Sequence, residues 1–92
     1  MATYTFKPYY SYNGPTHSQP FRERLTDAEA QKNIAFFLEN FESHFAGSDA
    51  VVVKDGDGSV VLTTSMSRDQ VNAIVKGFLN YLDLFADHSY KP

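Results

Sequence analysis

The sequence predicts an α+β domain in which two long helices pack on one face of a small antiparallel sheet, in the order β-α-β-β-α. Three features predict this fold. The N-terminal residues alternate between apolar and polar, two later stretches repeat apolar residues at helical spacing behind capping boxes, and two β-branched runs flank an Asp-Gly-Asp-Gly sequence. With 92 residues, 42% of them hydrophobic, the chain has the size of one domain, residues 1–92, that can bury a core.

The first predicted element is a strand over residues 2–7. Ala2, Tyr4 and Phe6 fall on one side of it, and threonine and lysine residues alternate with them on the other side. Because successive side chains of a strand point to opposite faces, this alternation predicts one buried and one solvated face. Pro8 is expected to end the strand.

Residues 8–24 form an arm that is rich in proline and aromatic residues. Three prolines and the pair Asn13-Gly14 interrupt it, which excludes a continuous helix. The aromatic residues of the arm are Tyr9, Tyr10, Tyr12 and Phe21. Because aromatic rings are usually laid against other apolar groups, the arm either packs on its own domain or presents an aromatic recognition surface. A disordered arm is the third alternative.

The first helix begins behind Thr26, which has the capping-box spacing to Glu29, and is expected to end near Ala46, before Gly47. Its predicted buried stripe consists of Ala30, Ile34, Phe37, Leu38, Phe41 and Phe45. Phe36 lies on the opposite, polar side of this helix. A large ring in that position is either a lone exposed aromatic residue or a contact for a partner.

A β-hairpin is predicted around Asp55-Gly56-Asp57-Gly58. The β-branched runs 50–54 and 59–64 flank this sequence and supply the two strands. Two turns remain open, one with Asp57-Gly58 at its centre and positive φ at Gly58, and one with a four-residue loop that starts at Asp55.

The second helix is predicted over residues 67–87. Ser67 and Gln70 form a second capping box, with Met66 and Val71 as a hydrophobic staple. The predicted buried stripe is Val71, Ile74, Val75, Phe78, Leu82 and Phe85. The tail after residue 87 is expected to fray.

Small residues occupy another side of the second helix. Gly77 in a helix interior costs about 1 kcal/mol relative to alanine, so we expect the space beside it to be used, by the first helix, by the aromatic arm or by another copy of the chain. The predicted interface of a possible homodimer is Ala73, Gly77, Tyr81 and Leu84. A free edge of the sheet is a second route to pairing with another chain.

The composition argues against several classes of function. A net charge of −3 disfavours binding to nucleic acid, and no segment has the apolar length of a membrane span. The chain has no cysteine, which removes disulfides and thiolate chemistry. We expect a soluble, cytoplasmic protein, since the N-terminal residues lack the pattern of a secretory leader.

No motif in the sequence indicates a catalytic site, a metal site or a cofactor site. Asp55-Gly56-Asp57-Gly58 lacks the glycine and the glutamate that a calcium loop requires further on, because Val60 and Met66 stand there. The three histidines are not at zinc-ligand spacing, and no serine lies in a nucleophile elbow. The sequence therefore predicts no catalytic residue, no metal site and no cofactor.

The sequence best fits a non-enzymatic, acidic binding protein that acts on a protein partner, for example as an inhibitor or an immunity-type protein that occludes it. The predicted contact residues are Tyr9, Tyr10, Tyr12, Arg22, Arg24 and Phe36. One alternative is a nucleotide or single-stranded nucleic-acid binder, in which the tyrosines stack on bases and the two arginines contact phosphates. Another alternative is a small enzyme without a recognisable motif.

Overall fold

A computed structural model describes residues 1–11 and 24–92. It confirms the α+β fold with two helices on one face of an antiparallel sheet. The elements are β1 (Ala2–Tyr9), α1 (Asp27–Asn40), a 3₁₀ helix (Glu42–Phe45), β2 (Val51–Lys54), β3 (Val60–Thr64), α2 (Arg68–Leu82) and β4 (Phe85–Lys91).

The four strands of the described residues form one antiparallel sheet in the order β2-β3-β1-β4. β1 is a central strand: Tyr4 is in register with Leu62 of β3 on one side and with Tyr90 of β4 on the other. The hairpin strand β3 therefore lies between β1 and β2, and β4 returns to the far side of β1. Two interleaved split β-α-β units with these connections make a ferredoxin-like topology.

The core lies between the sheet and the two helices. Every second residue is buried in β3 and, from Tyr4 onward, in β1; examples are Phe6 of β1 and Val60 and Leu62 of β3. The rings of α1 and its 3₁₀ extension stack along this face, since Phe41 lies 5.9 Å from Phe6 between ring centroids. The remaining ring contacts of this row are Phe37 with Phe41, Phe41 with Phe45 and Phe37 with Phe78. Burying each such side chain contributes roughly 1.5–3 kcal/mol.

Both capping boxes are present as predicted. The Thr26 hydroxyl accepts from the Glu29 N–H at 3.2 Å, and the Ser67 hydroxyl accepts from the Gln70 N–H at 3.1 Å, with the return bonds also formed. The chain leaves α1 earlier than predicted, at Asn40, and continues as the 3₁₀ helix to Phe45. The predicted stripe of α1 is confirmed by this geometry, since its residues are buried or half-buried against the core.

The hairpin turn combines features of both predicted turns. Its first residue is Asp55, whose carbonyl accepts from the Gly58 N–H at 3.3 Å. Gly58 has a φ of 88°, so the predicted positive φ is confirmed. The carboxylate of Asp57 accepts from both the N–H and the hydroxyl of Ser59. These hydrogen bonds from Ser59 lower the pKa of the Asp57 carboxyl.

The second helix is shorter than predicted, and its expected last turn is a strand instead. Asp83 adopts a left-handed conformation with φ 56° and ψ 40°. Its N–H donates to the Asn80 carbonyl, and the Leu84 N–H donates to the Leu79 carbonyl at 2.9 Å. These two bonds form a Schellman motif, which ends the helix and turns the chain back toward the sheet.

The tail that was expected to fray is strand β4, which pairs with β1 over seven residues. The ring of Tyr90 packs on Tyr4 with a centroid distance of 5.0 Å, and the Arg68 guanidinium lies 4.4 Å from the Tyr90 centroid in a cation–π contact. Burial raises the pKa of Tyr4 above its ordinary value. β1 also runs past Pro8 to Tyr9. The pairing with β3 has already ended at Phe6, so Pro8 has a strand neighbour only on the β4 side, and proline is tolerated at such edge positions.

Candidate binding surfaces

The described ends of the arm are tied to the domain. Tyr10 is 7% exposed, and its hydroxyl accepts a hydrogen bond from the Leu25 N–H at 2.9 Å. The Arg24 guanidinium donates to the Ser11 carbonyl at 2.9 Å. Tyr10 is therefore a core residue, which corrects its predicted role as a contact for a partner. The predicted contact residues Tyr12 and Arg22 lie outside the described residues.

Tyr9 is the arm tyrosine that the structure describes at the surface. It is 43% exposed at the end of β1, and its ring stacks on Phe85 of β4 with a centroid distance of 6.0 Å. Its position follows from strand alternation, because Pro8 and Tyr10 on either side of it are buried. Tyr9 thus remains available for contact, on a strand rather than on a loose arm.

A groove between α1 and α2 brings together two sets of residues that the sequence predicted separately. This interhelical groove has a volume of about 600 Å³ and is lined by Phe36, His44, Ala73, Ile74, Gly77, Phe78 and Tyr81. Phe36 is the predicted partner contact on α1. Ala73, Gly77 and Tyr81 are the predicted oligomer interface on α2, spaced four residues apart on one side of the helix.

Two exposed rings border the interhelical groove. Phe36 is 46% exposed and Tyr81 is 73% exposed. Phe78 lies between the helices and supports the groove from below, since its ring contacts Phe36 edge-on at 6.1 Å and His44 at 4.0 Å. The Phe36 side of the groove is therefore held by packed rings and is preformed.

Gly77 has open space beside it. A Cβ atom placed on Gly77 meets no atom of the described residues within 4 Å, so the close approach of α1 does not explain why a glycine stands here. Glycine in the helix interior still lowers stability by about 1 kcal/mol relative to alanine. Leu84, the fourth residue of the predicted interface, follows the end of α2 and is fully buried, so it does not belong to this surface.

The polar cluster at the start of α2 has a structural role. Asp49 accepts hydrogen bonds from the hydroxyl and N–H of Ser65 and from the Thr64 hydroxyl at 2.7 Å. The Thr64 hydroxyl in turn accepts from the Met66 N–H at 3.1 Å. These bonds join the segment before β2 to the turn between β3 and α2. The hydrogen bond from the Ser65 hydroxyl is the largest of several contributions that lower the pKa of the Asp49 carboxyl.

The described residues contain no cluster of three histidine, aspartate or glutamate side chains that could hold a metal ion. Comparisons with known protein families, characterised proteins and solved structures find no match. Within the described parts of the chain, no helix is both long and apolar enough to cross a bilayer.

The sequence was sufficient to predict Phe36 and most of the α2 side of the groove as contact residues. It was not sufficient to predict that they lie side by side. The distance between Phe36 and Gly77 depends on how α1 and α2 lie beside each other, which helical periodicity does not specify. His44 was missed as a groove residue because it follows the end of α1, in a turn whose direction the capping signals do not give.

Proposed function

We propose that this chain is a non-enzymatic binding protein whose interhelical groove takes an apolar segment of a protein partner. The contact is centred on Phe36, Gly77 and Tyr81. A domain that holds its partner in this way acts by occluding the partner's own surface, as an inhibitor does. A chain without cysteine needs no oxidising compartment to fold, which supports a cytoplasmic setting.

The observation that carries this proposal is the space beside Gly77, between two exposed rings, which the described residues leave unfilled. Glycine lowers helix stability at this position, and among the described residues no neighbouring group fills the space beside it. Aromatic side chains beside a small hollow are the groups that dominate protein interfaces, because they bury a large area with few rotatable bonds. The preformed Phe36 and Phe78 contact lowers the entropy that binding would lose.

The nucleic-acid alternative has less support from the described residues. Tyr10 is buried and the Arg24 guanidinium donates to a backbone carbonyl, so both are already engaged within the domain. Sheets that bind single-stranded RNA stack bases on aromatic residues of their central strands. The open face of β1 and β3 carries Thr3 and Thr63, whose hydroxyls lie 3.5 Å apart, and its exposed aromatic residue is Tyr9, at the end of β1.

A groove-filling variant tests the proposed function. Wild-type protein and Gly77→Leu are used as baits in extract from the source cells, and bound proteins are quantified by mass spectrometry. We expect Gly77→Leu to capture roughly tenfold less of the specific partner than wild type does, or less still. The reason is that a leucine side chain would fill the centre of the interface. Val53→Thr, on the open sheet face, is the matched control and should retain the partner.

The same variants separate a different protein from a second copy of this chain as the occupant. If the groove binds a second copy, light scattering of wild-type protein will exceed the mass of 10.4 kDa and Gly77→Leu will return to it. A partner that binds Gly77→Leu as well as it binds wild type would refute the groove as the binding site.

A further inference from the structure

A second cavity lies on the opposite flank of α2. Its volume is about 320 Å³, and it is walled by α2, β1 and β4. The α2 residues that line it are Asn72, Val75, Lys76 and Leu79, which are spaced three and four residues apart on one side of the helix. The interhelical groove uses α2 residues on the other side, so the two sites are separate. We call this cavity the α2–β4 pocket.

The floor of the α2–β4 pocket is apolar and buried. Phe6, Val75, Leu79 and Leu84 form it, and all four belong to the core. The rim is polar and exposed: Asn72 and Lys76 from α2 and His88 from β4. His88 is fixed at this rim because it is the register partner of Phe6 in the β1–β4 ladder. An apolar floor with a few polar groups at the mouth is the usual form of a small-molecule site.

The charge at the rim of the pocket favours a ligand with a negatively charged group. The chain has eleven acidic residues against eight basic ones, yet among the described residues no aspartate or glutamate lines the pocket. The polar side chains of the rim can supply N–H donors from Lys76, His88 and Asn72, and Lys76 adds a positive charge. Asp87, the acidic residue next to His88 in β4, lies on the other face of the sheet by strand alternation. A ligand with a negative end therefore meets attraction here in a molecule that is negative as a whole.

We propose that the α2–β4 pocket binds a small amphipathic carboxylate. The apolar body of the ligand lies on Val75, Leu79 and Phe6, and its carboxylate lies at the rim between Lys76 and His88. The volume is at the lower end of the range for ligand pockets, so the ligand is small, with a single ring or a short chain. The carboxylate stays at the solvated rim, which avoids the cost of burying an unpaired charge.

A pair of matched probes tests this site. 3-Phenylpropionate and 3-phenyl-1-propanol share the same apolar body and differ in the charged end. Each is titrated into the full chain while backbone amides are followed by ¹⁵N–¹H NMR. We expect saturable shifts for the carboxylate at Leu79 and Ala86, with a dissociation constant of about 1 mM or below, and at least ~5-fold weaker binding of the alcohol.

Charge-removing variants locate the site. Lys76→Met is expected to lower the affinity for 3-phenylpropionate by roughly fivefold and to leave the affinity for the alcohol unchanged, because only the carboxylate interacts with the ammonium group. Lys32→Met, which removes an exposed lysine from α1 away from the pocket, is the control and should bind like wild type. Lys76 is exposed, so the variant is expected to fold.

Three results would overturn the proposal. They are the absence of saturable shifts up to about 10 mM probe, equal affinity for the acid and the alcohol, and unchanged binding of the acid by Lys76→Met. None of these results bears on the interhelical groove, since the variants and probes act on the opposite side of α2.

Discussion

Asp49 illustrates at the level of one residue how an exposed carboxylate can fix the path of the chain. It precedes β2 in sequence, and its oxygens accept from the hydroxyls of Thr64 and Ser65 and from the backbone of Ser65 at the end of β3. Hydrogen bonds to a carboxylate favour its charged form, which is why its pKa lies below the ordinary value of 3.8. This cluster could not be predicted from the sequence, because its members are about 15 residues apart.

We expect protonation of Asp49 to account for part of the stability that the fold loses at acidic pH. Its pKa is lower in the folded chain than in the unfolded chain, so its contribution to stability is complete above the unfolded pKa and is lost as pH falls through the folded pKa. Urea denaturation of wild type and Asp49→Asn at neutral pH and near pH 3 measures this contribution. The variant should lose less stability on acidification than wild type does.

The matched control for Asp49→Asn is Glu39→Gln, which removes one exposed negative charge from α1. An identical loss of stability on acidification in wild type and Asp49→Asn would contradict the role assigned to the Asp49 cluster.

At the level of elements, the starts of the helices could be predicted and the end of α2 could not. A capping box is formed by residues three apart, so Thr26 with Glu29 and Ser67 with Gln70 were visible in the sequence. The end of α2 depends on Asp83 in a left-handed conformation, where glycine is the usual signal. Phe85 also follows Leu82 at helical spacing, so the apolar pattern continued past the true end.

β4 was missed because its pairing with β1 is a long-range property. The two strands are separated by about 80 residues, and the alternation of β4 is weak, with aspartate, histidine and serine between its rings. The chain nevertheless places Tyr90 on Tyr4 and Phe85 on Tyr9, and these cross-strand ring pairs compensate for the low apolar content.

Hydrogen exchange should distinguish a paired β4 from a frayed tail. In an antiparallel edge strand about half of the amides point to the neighbouring strand and are protected. We therefore expect alternate amides of residues 85–91 to exchange slowly in NMR-detected hydrogen exchange, at rates comparable with those of β1. Uniformly fast exchange across residues 85–91 would contradict the pairing of β4 with β1.

At the level of the whole molecule, the fold leaves α2 with a groove on one side and a pocket on the other. Both helices cover one face of the sheet, as the sequence predicted, and the interhelical groove lies where they meet at the surface. The sequence indicated the aromatic and small residues of this groove, but their convergence depends on the packing of the two helices. The α2–β4 pocket could not be predicted at all, because β4 was not expected to exist.

The space beside Gly77 is the centre of the proposed function, in which it serves something outside the chain. The most direct test is the stability of Gly77→Ala by urea denaturation, with Ala35→Gly in the exposed middle of α1 as the matched reverse change. If the space is free, Gly77→Ala should stabilise the protein by about 1 kcal/mol, and Ala35→Gly should destabilise it by about the same amount. A Gly77→Ala variant that is less stable than wild type would show that the fold itself requires this glycine, and the claim would be wrong.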